Sequence, residues 1–152
     1  MRPRSALAPL LTLALPVLVA IQPSPAEVAD ALRTLRAALA AEAAFDTTAV
    51  SHYTDDAEIR LLVHGAGSGQ VQGVILTGAE YKRAINGAMP IARRRGDRNT
   101  YTGFSTETRA DTVRVTATRH NSLRQYDSPI VFQLVARGGR WRIVGVVAQV
   151  VP

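Results

Sequence analysis

The chain has 152 residues, of which 47% are hydrophobic and 20% charged, with a formal net charge of +6 and no cysteine. That length and balance fit one domain with a sizeable core and leave little room for a second. The missing thiols exclude disulfides, thiolate metal sites and a lipid-modified cysteine.

The N-terminal segment stands apart. Arg2 and Arg4 precede an uncharged stretch from Ser5 to Pro25, whose apolar heart, Ala6 to Ile21, is interrupted by Pro9 and Pro16. A basic start followed by a short apolar run reads as a secretory signal peptide over residues 1–26, too short and too broken for a stable membrane span. Export to the periplasm or beyond is therefore expected. Ser24-Pro25-Ala26 before Glu27 carries small residues where signal peptidase inspects them, so cleavage is expected after Ala26, with cleavage after Ala20 as the alternative. The same residues spell a helix capping box, Ser-x-x-Glu with proline at the first helical position. Loss of residues 1–26 removes two arginines and no acid, so the net charge falls to +4. So small an excess argues for an acidic partner only where it is clustered.

From Glu27 to Phe45, Val28, Ala31, Leu32, Leu35, Ala38, Leu39 and Phe45 recur at helical spacing with Asp30, Arg33 and Arg36 between them. This predicts an amphipathic helix with one buried stripe. Asp46 is placed to cap a short second helix running through Val50 to Tyr53. Ala57 to Val63 reads as a strand, with Asp55 and Asp56 at its start bonding nearby backbone N–H groups. The glycine-rich run from His64 to Gly73 reads as a loop able to turn a hairpin. Its Gly65-x-Gly67-x-Gly69 lacks the lysine and hydroxyl residue of a phosphate loop.

Thr77-Gly78 opens a third helix with Tyr81, Ala84, Ile85, Ala88 and Met89 on its apolar face, ended or kinked by Pro90. Lys82, Arg83, Arg93, Arg94, Arg95 and Arg98 form the largest charge cluster. No aromatics interleave with it, so it reads as a solvated edge complementing the helix C-terminus, and no nucleic-acid partner is expected. Arg95-Gly96-Asp97 matches an adhesion tripeptide and is read as chance. Period two then predicts strands over Thr100 to Arg109, Thr112 to Asn121, Ser128 to Arg137 and Arg140 to Val150, with turns at Ala110-Asp111 and Gly138-Gly139. Helices followed by a long antiparallel meander imply an α+β fold, three helices packed on one face of a curved sheet.

The succession of a helix, a short helix, "YTDDAEI", "TGAEYKRAI" and strands closing on "RGGRWRIVGV" resembles the nuclear transport factor 2-like superfamily, which includes steroid delta-isomerase and SnoaL-type cyclases. The resemblance covers about Glu27 to Val151 and implies residues 27–152 folded as a cone with an apolar pocket at one end. It also implies where an isomerase would keep its catalysts. The general base falls at Leu61, the oxyanion-binding tyrosine at Leu35 and the second oxyanion donor at Val131, after Pro129-Ile130. Aliphatic side chains neither abstract a proton nor stabilise an oxyanion. No catalytic residue is therefore assigned, and the expectation is a binding module for a small apolar molecule or a protein. An enzyme of lyase, isomerase or cyclase type using Tyr53, His120 or Arg119 is the alternative.

Pocket candidates are Tyr53, Ile59, Leu61, Tyr81, Arg119, Val131 and Gln133. Alternation puts Arg119 on the face of Val113, Val115 and Ala117, where a guanidinium meets a ligand carboxylate or phosphate if that face is concave. His52, His64 and His120 lack partners at metal spacing, so no metal or other cofactor is expected. Trp141 and Tyr101 read as core or sheet-face residues. The resemblance further implies a homodimer through the outer sheet face, which Val144, Val146, Ala148 and Val150 of the last strand are expected to form.

Overall fold

The computed structural model describes residues 22–65 and 69–150. The expected signal sequence up to Ile21, the centre of the glycine-rich run and Val151 lie outside the described residues. Helix α1 spans Pro25–Ala43 and begins with the capping box its sequence spells. The Ser24 hydroxyl accepts from the Glu27 N–H at 3.3 Å, and the Glu27 carboxylate accepts from the Ser24 N–H at 2.8 Å. Ala31, Leu35, Ala38 and Leu39 form its buried stripe. The helix stops short of Phe45, which takes a left-handed φ of 58° and reverses the chain. Asp46 then accepts from the Thr48 N–H at 2.9 Å and starts the 3-10 turn Thr47–His52.

Strand β1, Tyr53–His64, begins four residues before the expected start at Ala57. Asp55 and Asp56 therefore stand on the strand itself; Asp56 keeps a backbone N–H bond of the kind expected, and both acids also have side-chain partners. Lys82 Nζ reaches Asp55 at 2.7 Å, and Arg137 Nη1 meets both oxygens of Asp56 at 2.8 and 2.9 Å. Strand β2, Val71–Thr77, completes the hairpin and takes in the end of the glycine-rich run.

Helix α2, Gly78–Arg95, carries a second capping box between Thr77 and Glu80. Pro90 does not end it; the helix continues through the proline to Arg95, with Arg93, Arg94 and Arg95 in the last turn and Gly96 as a left-handed cap (φ 67°). One missing N–H is tolerated on an exposed face, and the closing arginines suit the dipole there.

Strands β3 (Asn99–Arg109), β4 (Thr112–Asn121), β5 (Tyr126–Arg137) and β6 (Arg140–Val150) follow the period-two reading closely. Gly138 and Gly139 turn the last hairpin with φ of 59° and 72°, the backbone that a two-residue connection demands. The sheet order is β2-β1-β6-β5-β4-β3, antiparallel throughout except for β1 beside β6. Among the described residues no helix is long and apolar enough to cross a membrane.

The curved sheet closes over α1. Ile59, Val113, Val115, Phe132, Leu134 and Ile143 meet Leu35 in a core where each is essentially sealed from solvent. Each such burial is worth about 1.5–3 kcal/mol.

Strand phase corrects two expectations. On β5 the inward residues are Ser128, Ile130, Phe132 and Leu134, so Val131 and Gln133 stand on the opposite, outer face. On β6, Gln133 pairs with Gly145 while Leu134 pairs with Ile143, which leaves Val144 as an extra residue in a bulge. Beyond the bulge Val146 and Ala148 point into the core. The outer face there is made by Val147 instead, which is 37% exposed.

Candidate functional site

Four strand ends and two helices line a cavity of about 250 Å³ that is open to solvent on one side. Its apolar side is made by Phe45, Ile85, Met89 and Val150, and its polar side by Glu42, Asn99, Arg119, Asn121 and Tyr126. Register explains the gathering. Asn99 opens β3 and pairs with Asn121 at the end of β4, which in turn pairs with Tyr126 at the start of β5. Glu42 reaches the same place from the last turn of α1.

The polar side is a connected chain of hydrogen bonds. Buried Asn121 donates through Nδ2 to Asp97 Oδ1 at 2.8 Å and to Asn99 Oδ1 at 3.0 Å, while its Oδ1 accepts from the Arg124 N–H at 2.8 Å. Asn99 Nδ2 and the Tyr101 hydroxyl then both donate to Glu42 Oε1, each at 3.0 Å. A buried amide satisfied on all sides is a fixed element, so Asn121 and Asn99 hold the Glu42 carboxylate in place. Its other oxygen, Oε2, takes neither of those bonds.

Arg119 Nη2 donates to the Tyr126 hydroxyl at 3.2 Å and to the backbone carbonyl of Gln149. Its guanidinium lies 6.0 Å from the Tyr126 ring centroid. The Nε of Arg119 is buried and has no hydrogen-bond partner among the described residues. Deeper in, Tyr53 and Tyr81 stack at a tilt with centroids 5.2 Å apart. Burial first, and the Glu42 charge in addition, push the phenols of Tyr53, Tyr81 and Tyr101 well above their ordinary value. All three stay protonated at any ordinary pH, and Tyr101 uses its proton to donate to Glu42.

Of the residues expected at the pocket, only Arg119 lines this cavity. Tyr53 and Ile59 belong to the core, Leu61 and Tyr81 pack against it, and Val131 and Gln133 are on the far side of the sheet. Gln133 instead covers Gly145, beside Glu58 and Arg60, in a groove on the outer face. Leu35 is wholly buried in the core. His120 faces outward and pairs with Asp127 at 2.8 Å, and His64 meets Gln149 at 3.2 Å. Neither histidine lines the cavity. Among the described residues no three acids or histidines cluster in a way that would hold a metal ion.

The sequence reading missed Glu42, Asn99, Asn121 and Tyr126. One signal was available for Glu42. An acid in the last turn of a helix, with no basic residue there, opposes the dipole, and such a cost points to a partner elsewhere.

No protein-family model and no curated protein sequence matches the chain. Solved structures do. An NTF2-like protein of unknown function from Pseudomonas putida superposes with a TM-score of 0.65 at 11% identity, over 83% of this chain and 87% of that one. A protein of unknown function with a cystatin-like fold from Nostoc punctiforme gives 0.60 at 11% identity, over 87% and 96%. An NTF2-like protein of unknown function from Shewanella oneidensis gives 0.59 at 13% identity, over 80% and 98%. With this element order and this curved six-stranded sheet, the chain has the nuclear transport factor 2-like fold.

Proposed function

We propose that the protein is an exported small-molecule-binding module whose site is the cavity between Glu42 and Arg119. One observation carries the reading. A fixed carboxylate and a guanidinium share a cavity whose other side is apolar, the pattern that orients a ligand with a greasy body and a polar head. The sequence led to the expectation of a small apolar molecule or a protein, with Arg119 meeting a carboxylate or phosphate; Glu42 adds a polar contact that the sequence reading did not include. Glu42 takes a hydroxyl or amine hydrogen, and Arg119 an acceptor oxygen. Native mass spectrometry of the protein recovered after export tests it. A bound small mass should appear with wild type and fall about tenfold in occupancy with Glu42→Gln, which keeps the shape and removes the charge. A ligand retained equally by that variant would place the site elsewhere.

A catalytic reading, of lyase, isomerase or cyclase type, is favoured by one feature: the Glu42 carboxylate is held beside apolar surface with Oε2 outside the hydrogen-bond chain, as a general base would be. The bound compound separates the readings. A binding module returns it unchanged, whereas an enzyme converts it and loses turnover, but not binding, in Glu42→Gln.

Export is supported by the basic and apolar start of the sequence. The capping box favours cleavage after Ala20 over Ala26, because the latter removes the Ser24 cap and the first two residues of α1. The denatured mass of the exported protein distinguishes the two. A homodimer through the outer face, with Val131 and Val147 in place of the residues expected from the sequence, is the partner reading that accompanies this one.

A further inference from the structure

At the opposite end of the sheet from Glu42 lies a second cleft, of about 440 Å³. One wall is the early part of α1, with Arg33 and Thr34; another is Ser51 and His52; the third is the last hairpin, Gly139 to Arg142. Three arginines and a histidine face a single carboxylate, Asp30, and Arg33 already pairs with it. Arg142 is occupied differently, donating from Nη1 to the Ser51 carbonyl at 2.6 Å and tying β6 to the 3-10 turn.

Arg140 is the telling residue. It pairs across the hairpin with Arg137, and like charges directly opposite destabilise a sheet. Arg137 is neutralised by both oxygens of Asp56. Arg140 has no carboxylate within ion-pair range among the described residues. Beside it Trp141, half-buried, gives the cleft an aromatic wall.

We propose that this cleft binds a small anion carried on a flat ring, an aryl phosphate or aryl carboxylate. The ring lies against Trp141, and Arg140 supplies the planar two-donor fork that matches phosphate or carboxylate oxygens, with Arg33 and Arg142 adding positive potential at the rim. Shape selects the ring and charge selects the head. His52 adds little, since burial first and the Arg142 charge second lower its pKa and keep it neutral near pH 7.

Trp141 is the only tryptophan, so its fluorescence reports this cleft alone. Phenyl phosphate and benzoate should quench it saturably, and inorganic phosphate and benzyl alcohol should bind about tenfold more weakly, each lacking one half of the match. Arg140→Gln removes an exposed group without a carboxylate partner, and it should weaken phenyl phosphate binding about tenfold, with Arg140→Lys intermediate. Arg94→Gln, the same charge change on α2, should leave the affinity unchanged. Absence of saturable quenching, equal affinity for benzyl alcohol, or equal losses in Arg94→Gln and Arg140→Gln would each overturn the assignment.

Discussion

Gly78 shows how little space separates α2 from β1. A Cβ added there would lie 1.9 Å from the Thr54 carbonyl oxygen and 3.0 Å from the Ala57 Cβ, and backbone cannot step aside cheaply. Gly78→Ala should therefore cost about 1–3 kcal/mol in urea denaturation. At Gly145 the near neighbour is Gln133 Oε1 at 2.7 Å, the end of a flexible side chain that can swing into solvent. Gly145→Ala should lose clearly less, and an equal loss would show that the outer face is more rigid than its exposure implies. The cap acids are a second residue-scale test. Glu27, Asp46 and Glu80 are held below their ordinary values of 4.5, 3.8 and 4.5 chiefly by the backbone N–H groups of Ser24, Thr48 and Thr77. Groups depressed by folding contribute fully above those ordinary values, and the contribution vanishes as pH falls through the lowered ones. The urea midpoint should thus fall slightly as pH drops below 6.5, where the unfolded chain takes up a proton at His52 before the folded one does, and more steeply below 4.5, the second fall being shallower in Glu80→Gln; a fall of unchanged steepness would remove that cap from the explanation.

The bulge in β6 gives adjacent valines opposite fates. Val146 is core, so Val146→Glu buries an unpaired charge and should unfold the protein, as loss of the cooperative transition would show. Val147 is on the outer face, so Val147→Glu should fold normally; if the protein is a dimer through that face, sedimentation should find monomers, and an unchanged oligomer would discard the interface. The same strand marks where the sequence stopped being readable. β4 was legible because Arg114, Thr116 and Thr118 alternate with Val113, Val115 and Ala117, so Arg119 could be assigned a face without coordinates. In "IVGVVAQV" almost every residue is apolar, and nothing announces that Val144 is extra. β5 hides its phase in the same way, with Val131 and Val135 as greasy as the inward Ile130 and Leu134. The cavity was less legible than the fold for a related reason. Its polar groups come from the ends of separate elements, and only register brings Asn99, Asn121 and Tyr126 to Glu42. Helix starts were the easiest features to read: the Ser24–Glu27 box is written within four residues, and Thr77-Gly78 marked the start of α2 even though its box with Glu80 was not read.

At the scale of the whole molecule, the proposed removal of a signal peptide bears directly on stability, through the point at which the chain is cut. A form beginning at Ile21 keeps the Ser24–Glu27 box, whereas one beginning at Glu27 lacks it, and the longer form should be more stable by about 1 kcal/mol. Equal urea midpoints would mean that the first turn frays without consequence. The sheet order carries a different lesson. Strand β6 is inserted between β1 and β5 and, among the described residues, joins the pair β2-β1 to the trio β5-β4-β3 within the sheet. Until its 11 residues emerge, the earlier strands form two fragments, each with a bare edge and neither able to complete the shared core. Long-range closure of this kind slows folding and postpones it until β6 has been made. A nascent chain built this way stays open, threadable and exposed to chaperones until β6 joins the sheet, and then closes its core in a single step.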